Sequence, residues 1–141
     1  MFTLHERLAA DSIRVGELPL CALRLINDAN YPWFVLVPKR PGIREIYQLN
    51  ASDRVRLLEE SCVLSEVMSA AFAPSKMNVA ALGNMVPQLH LHHIARFSDD
   101  VAWPNPVWGV VPAKAYGNEE QKEIMALIQQ GFENTDLRLE T

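Results

Sequence analysis

The sequence predicts an α+β fold, an antiparallel sheet with helices packed on one face. Three observations point there. Short β-rich segments come in closely spaced pairs. One long amphipathic stretch interrupts them instead of alternating with each. A second helical stretch follows the last strand-like segment.

Residues 3–10 open with a short helical pattern, Leu4, Leu8 and Ala9 falling on one side. Residues 12–17 read as a strand, and Gly16 to Pro19 as a turn. Residues 20–27 (Leu-Cys-Ala-Leu-Arg-Leu-Ile-Asn) and 33–38 (Trp-Phe-Val-Leu-Val-Pro) read as two more strands. The Asx- and Pro-rich turn at 28–32 joins them, so they should be antiparallel neighbours. A helix should start with Ser52 as its N-cap and Asp53 in the first turn. Val55, Leu58, Cys62, Val63, Val67 and Ala70 recur at helical spacing until Pro74, which predicts an apolar face lying on the sheet. Residues 77–82 and 89–95 read as further strands around a loop at 83–87. The Pro-rich stretch 103–112 cannot lie inside a sheet and should wrap as a loop held by Trp103 and Trp108. Residues 118–130 form the last helix, with Gly131 just past its end.

The 141 residues suit one domain over 1–141, with a core over about 12–96 and a C-terminal loop and helix over 97–141. The formal charge of −4, from 13 basic and 17 acidic residues, speaks against a nucleic-acid polymer as partner. A locally positive pocket for a small anion stays compatible with it. The two cysteines, Cys21 and Cys62, both sit in apolar stretches and read as buried free thiols. The first ten residues show no apolar signal-peptide core, and no stretch reaches membrane-spanning length. A cytoplasmic protein with no membrane partner is expected.

The chemistry concentrates at Gln88-Leu89-His90-Leu91-His92. In a strand, residues two apart share a face. Gln88, His90, His92 and Ile94 therefore point one way, and Leu89, Leu91, His93 and Ala95 the other. Two imidazoles and an amide in one row need partners or a use. A neutral imidazole can attack phosphorus, and a second can donate to phosphate oxygens. His-x-His is also a metal-ligand spacing. Arg96 close by favours an anion over a cation. Strand parity alone leaves structural, anion-handling and metal-binding roles open.

The run Gln88-Leu-His90-Leu-His92-His93-Ile94 resembles the histidine triad (HIT) signature, in which three histidines alternate with apolar residues. The likeness extends to Asn27 with its Pro-containing turn, to Phe34-Val-Leu-Val-Pro38-Lys39, to Asn78 and to Gly83-Asn84. It covers about residues 20–96 and is nearest to a bacterial branch with Gln in first place and a Trp-Pro-x-Pro-Val-Trp tail. The resemblance implies a five-stranded antiparallel sheet, a homodimer and no cofactor. It implies a hydrolase or transferase acting at the α-phosphate of nucleoside phosphoramidates or dinucleoside polyphosphates. Carried over by position, His90 would be the nucleophile and His92 a donor to a phosphate oxygen. Asn27 would bind the ribose hydroxyls, Asn84 would face the phosphates, and Leu25 and Ile26 would lie near the base. Two positions depart from the pattern. Gln88 replaces the first histidine and cannot become cationic, which alters its help to the nucleophile. Met85 stands where a hydroxyl is common and cannot donate. A nucleotide-binding module with little turnover is the alternative. His93, on the opposite pleat, is expected in packing or an interface. Arg96 is expected as a solvated strand-end charge, and the tryptophans as packing anchors, with Trp108 also near the site.

Overall fold

The segment Trp33–Pro38 is apolar along its whole length and fully buried, which a strand achieves only when both its faces are covered. A computed structural model describes residues 1–141. In chain order the strands are β1 (Ser12–Glu17), β2 (Cys21–Ile26), β3 (Trp33–Pro38), β4 (Lys76–Ala80) and β5 (Leu91–Arg96). They form one antiparallel sheet, as the sequence predicts, in the order β1-β2-β3-β5-β4. β3 is therefore central, and β5 lies inside the sheet between β3 and the edge strand β4. Their register pairs Val35 with His92 and Phe34 with His93.

The helices are α1 (Glu6–Asp11), α2 (Ala51–Phe72) and α3 (Asn118–Glu133). One face of the sheet carries α2 and α3 over a core that includes Leu23, Leu25, Phe34, Leu36 and Ala95. The other face holds a smaller cluster of Trp33, Val35, Val37 and Ile94, covered by Leu8 of α1 and by Ala102 and Val107. The histidine row lies on this second face. Helices thus crowd one side, and a long loop with one short helix covers the other.

Several boundaries move. α1 begins three residues later than the pattern suggests, because the His5 side chain accepts from the backbone N–H of Arg7 and caps it. The N-cap of α2 is Asn50, not Ser52, its Oδ1 accepting from the Asp53 N–H at 2.8 Å. α3 runs through Gly131 to Glu133. Gly131 is no terminator but a contact point, since a Cβ there would sit 2.5 Å from Val67 Cγ1 of α2. β5 starts at Leu91, so Gln88, Leu89 and His90 form an extended lead-in outside the ladder, tied by the Leu89 N–H to the Ile43 carbonyl at 2.9 Å.

The expected apolar face of α2 is largely the wrong stripe. Val55, Leu58 and Cys62 are exposed, and Leu57, Glu60, Ser61, Leu64, Val67 and Met68 are buried. The buried polar members have specific partners. Glu60 accepts the Leu20 and Cys21 N–H groups at 2.8 and 2.9 Å. Asp53 takes both prongs of Arg40. Of the two thiols, Cys21 is buried as expected and Cys62 is not. No helix is long and apolar enough to cross a membrane.

Candidate active site

His90, His92 and His93 are all buried, yet each ring nitrogen near a carbonyl reveals its proton, because a carbonyl can only accept. His90 donates from Nδ1 to the Gln88 carbonyl at 2.7 Å. Its Nε2 is therefore the unprotonated, nucleophilic nitrogen. Burial lowers the pKa of His90, the Gln88 carbonyl opposes that, and the charge on His5 lowers it further. The neutral ring is the favoured state.

His92 is held at both nitrogens. The Trp33 indole N–H donates to its Nδ1 at 3.0 Å, and its Nε2 donates to the Leu82 carbonyl at 2.9 Å. Burial is the main reason its pKa falls to about 4, against the pull of the Leu82 carbonyl and with the help of His90. This corrects the expected role. In this geometry His92 has no free donor for a phosphate oxygen. It packs edge-on against His90, ring centroids 4.7 Å apart, and against Trp108 at 5.1 Å. Trp33 was not legible as a site residue. It reaches His92 only because the β3–β5 register sets Val35 opposite that histidine.

Gln88 also differs from expectation. Its side-chain amide faces the arm at residues 3–5, donating to the Thr3 carbonyl and accepting the His5 N–H, both at 2.8 Å. It makes a peptide-like bridge to the arm and keeps one amide N–H unused beside the hollow it shares with His90.

The cleft beside His90 measures about 480 Å³ and is lined by apolar groups, among them Ile26, Trp33, Val86 and Trp108. An adjoining hollow of about 400 Å³ shares Asp11, Ile26, Trp33 and Trp108 with it and adds Asn27 and Asp28. Together they form one trough of the size that takes a small organic ligand. A hollow of about 460 Å³ at residues 129–141 contains no histidine or cysteine.

Of the expected nucleoside contacts, Ile26 lines both compartments. Leu25 does not. It is fully buried under α2, because adjacent strand residues face opposite ways. Asn27 uses Oδ1 to accept the Tyr116 N–H at 2.9 Å, which turns its amide as a donor toward other partners. Asn84 lies beside His90 in the loop 83–87, as does the exposed Met85. None of the N–H groups of Gly83, Asn84, Met85 and Val86 donates to another backbone group. These donors are left for solvent or a ligand. A Cβ on Gly83 would lie 2.7 Å from the Val86 carbonyl and 3.4 Å from His90 Cε1, so the loop can pass only as glycine.

His93 points to the α2 side, as parity predicts. It accepts from Ser61 at 2.7 Å through Nε2 and donates to the Leu91 carbonyl. Arg96 is the clearest reversal. It is 1% exposed, not solvated. It bonds Asp100 twice at 2.9 and 3.0 Å, Asn78 at 2.9 Å and the Asn105 carbonyl at 2.8 Å. Tyr31 and Trp103 each stand 5.7 Å from its guanidinium. Burial acts to raise the Asp100 carboxyl, but the Arg96 guanidinium and three backbone N–H groups hold it down to about 2. This cluster moors the loop that carries Trp108 over the cleft. No three of the chain's His, Cys, Asp and Glu side chains gather as a metal site would require.

A buried imidazole with its Nδ1 proton fixed thus lies beside a trough of the size that takes a small organic ligand. The HIT domain model matches residues 7–99, and the chain belongs to the HIT family. It is 56% identical to a histidine triad protein from Marinobacter aquaeolei, with 94% of this chain and 97% of that one covered and a TM-score of 0.92. It is 42% identical to a histidine triad protein from Bradyrhizobium japonicum (92% and 97% covered, TM-score 0.91). The same identity holds for one from Sinorhizobium meliloti (93% and 97%, TM-score 0.91). No curated protein matches. Family membership supports a nucleotide-binding hydrolase or transferase in general terms.

Proposed function

We propose that the chain is a nucleotide hydrolase or nucleotidyl transferase working through a covalent nucleotidyl-histidine at His90. Its substrates would be nucleoside phosphoramidates or dinucleoside polyphosphates. One observation carries the reading. The Nδ1–H of His90 is committed to the Gln88 carbonyl, so the lone pair of Nε2 is available beside the cleft.

In this reading the nucleoside occupies the trough, with Ile26 against the base and the Asn27 amide donating to the ribose. The α-phosphate rests on the N–H groups of 83–86, with Asn84 beside it. Nε2 forms a bond to phosphorus as the bond to the leaving group breaks, and the electron pair departs with that group. Water then attacks phosphorus, restores His90 and releases the nucleoside monophosphate. His92 acts through His90 as a positioning residue, its ring clamped by Trp33 and Leu82.

We also propose a homodimer. β4 is an open sheet edge, and Val79 upon it is exposed together with Val55, Leu58 and Cys62 of α2. A reducing cytoplasm suits the two unpaired thiols.

The test is incubation with adenosine phosphoramidate and diadenosine tetraphosphate, followed by mass spectrometry of the quenched protein. Wild type should release the monophosphate and carry a transient adenylyl group that His90→Ala lacks. Cleavage of neither substrate, or equal cleavage by His90→Ala, removes the catalytic reading. A binding module with little turnover is favoured by the engagement of both ring nitrogens of His92. Calorimetric monophosphate binding without turnover would establish it.

A further inference from the structure

The apolar walls of the trough hold a nucleobase without telling one base from another, since every base has a flat apolar face. Discrimination needs groups that meet the base edge, and charged groups hydrogen-bond most strongly. The charged residues lining the two compartments are Arg7, Asp11 and Asp28. Asp28 is 5% exposed, and its Oδ1 holds three donors of neighbouring loops, the Asn30 N–H, the Asn30 amide and the Lys114 N–H. It anchors those loops. Asp11 lines both compartments, and its carboxylate makes one contact, Oδ2 to Arg7 Nε at 3.7 Å. That distance is an ion pair without a hydrogen bond. Both side chains are more than half exposed, so solvent screens the pair and it opens at little cost.

Backbone pairing fixes Asp11 beside the nucleoside contacts. Asp11 closes α1, and the next residue, Ser12, opens β1 opposite Ile26. The Asp11 carbonyl itself accepts the Asn27 N–H at 3.0 Å. The residue assigned to the base and the one assigned to the ribose are therefore both tied to the end of α1. Arg7 stands one helical turn back on the same face and lines the compartment that holds His90.

We infer that Asp11, with Arg7 beside it, reads the edge of the base and selects guanine. The assignment rests on the nucleotide-transfer reading above, with the ribose at Asn27 and the base on Ile26. Guanine carries two adjacent donors, N1–H and the N2 amino group, which match the two oxygens of one carboxylate. Its O6 accepts from the Arg7 guanidinium. Adenine offers the carboxylate one donor, the N6 amino group, and sets the lone pair of N1 beside it. Cytosine has the same pattern at N3. Uracil has one N3–H flanked by two carbonyl oxygens, which a carboxylate repels. Hypoxanthine keeps N1–H and O6 and lacks the second donor. Asp11 and Arg7 are specificity-determining residues, and neither takes part in the transfer step.

The test is titration calorimetry of the full chain with guanosine, inosine and adenosine monophosphates. Wild type should bind the guanosine compound about tenfold more tightly than the adenosine one, the worth of one bidentate base contact at an exposed site. The inosine compound should fall between them. Asp11→Asn should reverse the order, because an amide can accept from adenine N6 and donate to N1, whereas it meets the two guanine donors with one acceptor. The ratio of affinities is the readout, since loss of a negative charge strengthens the binding of every monophosphate alike. Arg7→Ala should narrow the guanosine preference by removing the donor to O6. Equal affinities in wild type, or a ratio unchanged in Asp11→Asn, would overturn the assignment and leave the nucleotide-transfer reading standing. If no monophosphate binds and His90 is never labelled, the nucleotide-transfer reading falls first and takes this one with it.

Discussion

Replacing Arg96 with leucine should be the most damaging single change outside the His90 cleft. The guanidinium is 1% exposed, and its side chain makes four hydrogen bonds, two of them to Asp100. Leucine would refill part of the space but leave the Asp100 carboxylate, whose side chain is 5% exposed, without its counter-charge. Removing one partner of a buried ion pair costs roughly 3–5 kcal/mol. The Asn78 amide oxygen and the Asn105 carbonyl also lose their donor, which puts the loss toward the upper end. Against a total stability of about 5–15 kcal/mol, that is a large share. It corresponds to a drop of about 10–20 °C in Tm for a chain of this size. Urea denaturation of wild type, Arg96→Leu, Asp100→Leu and the double variant would measure it. The double variant should be less damaged than the sum of the singles, because it buries no lone charge. Survivors should bind nucleotide more weakly, since the cluster moors the loop bearing Trp108. A loss below about 1 kcal/mol for Arg96→Leu would mean that Arg96 behaves as a surface charge, and the mooring argument would fail.

The other predictions concern acid, packing and strand parity. His92 and His93 have folded pKa values of about 4, below the ordinary 6.5, chiefly through burial. The unfolded chain therefore binds protons first, and stability should be whole above pH 6.5 and decline as pH falls from there toward 4. Trp33→Phe, which removes the donor to His92, should shrink that decline and end it at a higher pH by making protonation easier in the fold. A flat stability profile over that range would contradict the assigned tautomers. Gly131→Ala should cost about 1–3 kcal/mol by forcing α2 and α3 apart, and Val67→Ala should recover part of it in the double variant. Additive losses in denaturant melts would refute the contact. Leu25→Ala should lower stability by about 2–5 kcal/mol without changing nucleotide affinity, whereas Ile26→Ala should do the reverse. Titration calorimetry beside thermal melts separates the two.

Much of this protein is determined by local sequence. Alternating apolar segments and Asx–Pro turns specify the five strands, since period-two burial and turn chemistry act over a few residues. The alternation at 88–95 places His90 and His92 on one face and His93 on the other. Parity also puts Leu25 opposite Ile26, so the two cannot both face the base. What tertiary structure decided depends on partners remote in the chain. The exposed stripe of α2 is as apolar as the buried one, because buried Glu60 and Ser61 find their partners on β2 and β5. Arg96 becomes a buried mooring only when Asn78 and Asp100 converge on it from two sides. The triad itself shows the division most clearly. Spacing identifies which residues lie in the row. Hydrogen bonds donated by Trp33 and His5 and accepted by the Leu82 and Thr3 carbonyls decide what each can do, because an imidazole's role is set by its second nitrogen and an amide's by the groups it already holds.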